Sequence, residues 1–171
     1  YRFIQQFPNV QRLADANEEE VLKLWQGLGY YSRARNIHTT AKTIVSEYNG
    51  IFPTDYENII RLKGIGEYTA AAICSFSQNK PYAVVDGNVF RVLARIFNID
   101  TAIDTTAGKK EFKTLAQLLL DKNKAALYNQ AIMEFGALQC VPNNPDCENC
   151  IFNNSCCAFA ENKVQNLPVK G

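Results

Sequence analysis

At 171 residues the chain has room for one ordinary domain or two small lobes sharing a core, and folding at this size hides roughly 70% of the surface an unfolded chain exposes. A content of 47% hydrophobic and 20% charged residues, with 9 Gly and 6 Pro, excludes a disordered tail, a collagen-like repeat and a low-complexity linker. No run approaches the roughly 18 apolar residues of a membrane span, and the N-terminus carries no secretion signal, so a cytoplasmic location is expected. The net charge of +1 means that an anionic polymer must be held by local patches and not by the field of the whole molecule.

Helical patterns then follow one another along the chain. Tyr1 falls inside a helical register with Phe3, Ile4 and Phe7, so further chain is expected before it. Asn17 and Glu20 have capping-box spacing ahead of Val21, Leu22, Leu24, Trp25 and Leu28, and Gly27 and Gly29 stop that run. A helix from near Ser32 places Ile37, Ala41, Ile44, Val45 and Tyr48 on one face, with Gly50 just past its end. Pro53 and Thr54, with Glu57, predict the next helix start before Ile59, Ile60 and Leu62. Spacings of three and four return over Ala70–Phe76, Val89–Phe97, Phe112–Leu120 and Tyr128–Phe135, and no window alternates as a strand would. The fold class predicted is all-α, with Thr101–Lys110 as a surface loop between lobes 1–106 and 107–171.

Three features carry chemistry. Leu62, Lys63, Gly64, Ile65 and Gly66 form a tight turn between two helical patterns, and its outward amides at a helix start suit an anion such as phosphate. Asp86, flanked by Val84, Val85 and Val89 at the head of the next helix, is an N-cap on the simplest reading and a carboxylate in a partly apolar setting on the functional one. Two stretches are basic without a neighbouring acid: Lys23, Arg33, Arg35 and Lys42 in the first, Arg91 and Arg95 in the second; both read most simply as solvated helix faces.

The cysteines are the sharpest signal. Cys74 reads as a small buried hydrophobe, whereas Cys140, Cys147, Cys150 and Cys156 place four soft ligands in one short loop, with Cys157 as a spare thiol. Thiolate-only ligation suits zinc or an iron-sulfur cluster, and the single His38 excludes mixed Cys/His zinc modules.

With LKGIGEYTAAAI at 62–73, VDGNVFRVLAR at 85–95 and the four-cysteine loop at 140–156, the chain resembles the helix-hairpin-helix superfamily of base-excision DNA glycosylases. WQGLGYYSRARN at 25–36 and YNQAIMEFGALQC at 128–140 are most similar to its A/G-specific adenine DNA glycosylase (MutY) branch. The resemblance implies a bilobal all-helical, monomeric enzyme. It would flip adenine out of a mispair with 8-oxoguanine or guanine in double-stranded DNA and cut its glycosidic bond.

By position, Asp86 matches the catalytic Asp and Asn88 a residue that orients the reacting groups. Tyr30 matches an aromatic wedge and Gln130 a residue of the adenine pocket. Tyr68 stands where lyase relatives carry a Schiff-base Lys, which implies a monofunctional enzyme. Leu62, Gly64, Gly66 and Arg33 are the remaining expected DNA contacts, and carbonyls at Ile60, Leu62 and Ile65 match those that hold a monovalent cation. The four cysteines match the ligands of a 4Fe-4S cluster. In two respects the chain is expected to depart from the pattern: the branch's catalytic Glu lies upstream of the position matching Tyr1, so weak or absent base removal is expected of this chain alone, and the C-terminal domain with which the branch reads 8-oxoguanine lies beyond Gly171. The loop Val141–Asp146 also lacks the Lys or Arg that relatives often turn toward phosphate. A G/T mismatch thymine glycosylase and a non-catalytic iron-sulfur DNA-binding module are the alternatives.

Overall fold

The computed structural model describes residues 1–171, and every regular element in it is helical. The order is α1 (Arg2–Gln6), α2 (Val10–Asp15), α3 (Glu18–Leu24), α4 (Tyr31–Tyr48), α5 (Tyr56–Ile59), α6 (Glu67–Gln78), α7 (Gly87–Phe97), α8 (Thr106–Leu119), α9 (Ala125–Leu138) and α10 (Cys157–Ala160), with a final 3₁₀ turn at Val164–Asn166. The chain divides into two compact units, Tyr1–Ala70 and Ala71–Gly171, with the division inside α6. No helix is long and apolar enough to cross a membrane.

The first unit is built on α4. Phe7, Leu13, Ala14, Val21, Ala34 and Ala41 form its core, and Phe3 packs edge-on against both Phe7 (5.0 Å) and Trp25 (5.5 Å). His38 is buried in α4, where its Nε2 meets the Ala16 carbonyl at 3.0 Å. The predicted capping boxes do not form as drawn. Asn17 makes no side-chain cap bond, and the Glu20 carboxylate, which a capping box would turn back to the Asn17 amide, accepts instead from Gln6 Nε2 at 2.8 Å. The cap of α5 is Asp55, one residue past Thr54, accepting from the Asn58 amide at 2.9 Å.

The second unit centres on α7, which packs against α8, α9 and α10 around Val89, Leu93, Ala94, Phe112, Ala116, Ala158 and Leu167. The loop expected over 101–110 ends early, since the Thr105 hydroxyl accepts from the Gly108 amide at 3.0 Å and starts α8 there. Gly108 is buried, and a β-carbon on it would sit 2.1 Å from the Ala102 carbonyl oxygen, so a polar, glycine-bearing stretch is held as helix by packing.

Candidate functional site

In the first unit the hairpin between α5 and α6 is anchored by Ile59 and Leu62, both buried, and closed by the Ile65 amide donating to the Leu62 carbonyl at 3.1 Å. Its two glycines have different reasons. Gly64 has φ +79°, and a β-carbon there would lie 2.5 Å from the Asn36 side chain; α4 therefore presses on the turn, and the Thr40 hydroxyl donates to the Lys63 carbonyl at 3.0 Å. Gly66 is exposed, lies outside the left-handed region, and would place a β-carbon against nothing within 4 Å. Its smallness is not required by the chain's own packing, so the turn itself demands a glycine at Gly64 alone. The surface at Gly66 is open to close approach.

Tyr30 precedes α4 with φ 48° and is 79% exposed, at the end of a loop that also holds Gly27 (φ 89°) and Gly29 (φ 67°) in the left-handed region. The Trp25 indole N–H fastens this loop to the Gly29 carbonyl at 3.0 Å, and the exposed Arg33 guanidinium lies 5.4 Å from the Tyr30 ring centre. Tyr68 stands in the first turn of α6, 47% exposed.

In the second unit Asp86 is half-buried and caps α7, Oδ1 accepting from the Val89 amide at 2.8 Å. Its other oxygen accepts from Asn88 Nδ2 at 3.0 Å. Asn88 Oδ1 accepts in turn from Arg91 at 2.8 Å, and Arg91 donates onward to the carbonyls of Gly136 (2.6 Å) and Cys140 (2.7 Å). Burial lowers the Arg91 pKa from its ordinary value, Cys140 and Asp86 pulling against that shift and Arg95 adding to it. Gly136 lets α9 approach closely: a β-carbon there would stand 2.7 Å from the Asn88 Cβ. The carboxylate is thus tied by an unbroken hydrogen-bonded chain to the start of the cysteine loop.

The four half-buried cysteines 140, 147, 150 and 156 line one small pocket, partly open to solvent, with Arg95, Phe135 and Phe152. Cys157 is exposed and Cys74 is buried elsewhere. The Asn149 amide donates to Asp146 Oδ1 at 3.3 Å and so shapes the segment between Cys147 and Cys150, and Phe135 packs edge-on against Phe152 at 5.3 Å. The Phe152 amide donates to Cys150 Sγ at 3.4 Å. Burial pushes the Cys147 and Cys156 thiols up; the other thiols reinforce this at Cys147, and backbone amides oppose it at Cys156. No three His, Cys, Asp or Glu side chains converge on a single ion position.

Arg95 corrects the solvated-face reading of the second basic stretch. It is 2% exposed and donates to the carbonyls of Val164 (2.9 Å), Leu167 (3.1 Å), Val141 (2.7 Å) and Pro142 (2.9 Å) and to Cys140 Sγ at 3.5 Å. Gln130 is exposed on α9 and donates to Glu134 at 2.7 Å, whereas its neighbour Asn129, which the sequence reading passed over, is buried and fully hydrogen-bonded. The only sequence signal for Asn129 is a polar residue on the apolar face of its helix.

Helix, glycine hairpin, helix, then an aspartate at the head of the next helix is the order of the helix-hairpin-helix class. Residues 1–118 match the family described as HhH-GPD superfamily base excision DNA repair protein, and the chain belongs to that family. It is 41% identical over 171 residues to the Adenine DNA glycosylase of Buchnera aphidicola subsp. Baizongia pistaciae, covering 99% of this chain and 48% of the relative. Against the Adenine DNA glycosylase of Mus musculus it is 42% identical over 159 residues, covering 92% of this chain and 31% of that one. The chain therefore spans half or less of the length of these curated relatives. Among solved structures, a thermostable thymine-DNA glycosylase superposes with a TM-score of 0.84 at 27% identity, covering 94% of this chain and 74% of its own.

Proposed function

We propose that the chain carries the core of an adenine-specific DNA glycosylase of base-excision repair, acting on adenine opposite 8-oxoguanine or guanine in double-stranded DNA. The observation that carries this reading is the Asp86 carboxylate. It is held rigidly by the Val89 amide and the Asn88 side chain, half-exposed, and backed by a chain of donors. A base in the stack is unreachable, so the nucleotide must leave the duplex before its bond to the sugar can be cut. As that bond breaks the sugar turns positive, and a fixed carboxylate stabilises the developing charge without having to reorganise.

Tyr30, aromatic and exposed, would fill the gap left in the stack, and Gln130 would meet the extruded base. Leu62, Gly64 and Gly66 shape the phosphate-facing turn, Arg33 adds a local cation, and the carbonyls of Ile60, Leu62 and Ile65 would hold a monovalent cation. Tyr68 cannot form a Schiff base, so the product is an abasic site without strand cleavage. Functionally the lobes are 1–106 and 107–171, the enzyme a monomer working in the cytoplasm, on the nucleoid if bacterial.

The cysteine pocket fits a 4Fe-4S cluster through its donor set: four thiols around one pocket, an amide N–H aimed at sulfur and a buried guanidinium at Cys140. When bound, the cluster supplies iron-thiolate bonds that cross-link the loop 140–156.

The test is Asp86→Asn in the full-length protein, a change that keeps a good helix cap. Single-turnover release of adenine opposite 8-oxoguanine is expected to fall roughly 100- to 1,000-fold with duplex binding retained; an unchanged rate leaves only a binding role. The structural likeness to a thymine-DNA glycosylase favours a second reading, excision of thymine from G/T mispairs. A panel of duplexes with thymine in place of adenine separates the two.

A further inference from the structure

Asp86 reaches α7 at the end of Pro81–Val85, a stretch outside any helix or strand whose backbone groups are met alternately on two sides. Extended backbone points its N–H and C=O groups alternately to two opposite edges, and buried groups of that kind need partners. Here two side-chain amides stand where neighbouring strands would be. On one edge Gln117 of α8 donates Nε2 to the Pro81 carbonyl at 2.9 Å and accepts the Ala83 amide at 3.0 Å. On the other, Asn129 of α9 donates Nδ2 to the Tyr82 carbonyl at 2.9 Å and accepts the Val84 amide at 3.0 Å, its second proton going to the Ser75 hydroxyl at 2.7 Å. Each amide offers one acceptor and one donor at the spacing of a peptide group, so four consecutive residues are gripped alternately, and only Val85 separates the last of them from Asp86.

We infer that Gln117 and Asn129 form an amide clamp that positions the Asp86 carboxylate for the proposed excision; the inference rests on that reading of Asp86. The cap bond to Val89 fixes the carboxylate from the α7 side. On the entry side the clamp holds residues 81–84 through four hydrogen bonds, alongside the packing of Ala83 and Val85 against the core of the second unit. The two halves differ in burial: Asn129 is 1% exposed, whereas Gln117 is only half-buried, so Gln117 can be changed without opening the core.

The experiment uses the full-length protein with Gln117→Leu, which removes both grips, and Gln117→Glu, which keeps the acceptor for the Ala83 amide and loses the donor to Pro81. Hydrogen exchange at the Ala83 amide, duplex affinity, thermal unfolding and single-turnover adenine release are measured on each. For Gln117→Leu the expected result is faster exchange at Ala83, a rate lowered roughly 10- to 100-fold by misplacement of the carboxylate, and affinity unchanged, with Gln117→Glu in between. Two results overturn the inference: faster exchange with an undiminished rate, or a rate that falls only in step with affinity and thermal stability. A wild-type protein that releases no adenine overturns the functional reading itself, and protected Ala83 in that protein would show the clamp present without that use.

Discussion

The two basic stretches look alike in sequence and end in opposite environments. On α4, Arg33 and Arg35 stay in solvent: Arg33 lies against the Tyr30 ring, and Arg35 meets Glu18 at 3.1 Å with both side chains more than half exposed. Such a pair contributes about 1 kcal/mol or less. On α7, Arg91 and Arg95 are four residues apart and so share one face, which turns inward. Their acceptors are mostly carbonyls from the end of α9, the cysteine loop and the C-terminal segment. What buries an arginine here is a supply of acceptors from distant parts of the chain, which its own helix does not reveal. The exposed pair is available to a partner; the buried pair is committed to the fold around Asp86 and the thiols.

The largest effect expected from breaking this contrast is at Arg95. Its guanidinium has no carboxylate partner; in the cysteine pocket it donates to Cys140 Sγ, and the other thiols and Asp146 line the same pocket. Arg95→Met in the full-length protein would strand five acceptors and remove the cation beside Cys140. Roughly 10- to 100-fold weaker retention of iron against a chelator is expected, with a loss of about 3 kcal/mol or more in stability, because each buried carbonyl left without a donor costs about 1 to 3 kcal/mol. Iron content and visible absorbance read the first, thermal unfolding the second. A variant that keeps its full iron complement would mean that Arg95 is as dispensable as the arginines of α4.

The hairpin glycines sharpen the same division between fold and partner. Gly64→Ala forces a left-handed alanine against Asn36, and about 2 kcal/mol of destabilisation is expected, lowering the unfolding temperature by roughly 4 to 8 °C. Gly66→Ala meets nothing in the chain, and its stability should stay within about 0.5 kcal/mol. Its cost should appear instead in duplex affinity, roughly tenfold, the worth of one hydrogen bond from an amide to a charged group. Equal effects of the two substitutions on stability would remove the distinction.

The helices were legible because local periodicity sets them: α4 and α7 lie within a residue or two of their predicted bounds, and Asp86 is the cap its position suggested. Start signals fared less well, since Asn17 and Thr54 compete with neighbours that the chain brings in from elsewhere, such as Gln6, or that stand one residue on, such as Asp55. The cysteine loop was visible as spacing, and its shared pocket follows from it. The roles of Arg95, Gln117, Asn129 and Gly136 were not legible, for one common reason. Each acts on backbone dozens of residues away, and no local pattern distinguishes a buried amide or guanidinium from a solvated one.

Arg33 is the counterpart to Arg95 and has the smallest expected effect. With no carboxylate partner and its guanidinium over an exposed ring, Arg33→Gln should leave stability within about 0.5 kcal/mol. If it meets one phosphate, the dependence of log affinity on log salt should flatten by about 0.9, and the loss should be the same for mispaired and fully paired duplexes, because a phosphate carries no base identity. Fluorescence titrations at several salt concentrations measure both quantities. A loss confined to the mispaired duplex would move Arg33 from backbone positioning to lesion recognition beside Tyr30, and would show that the exposed pair, too, belongs to the chemistry of the site.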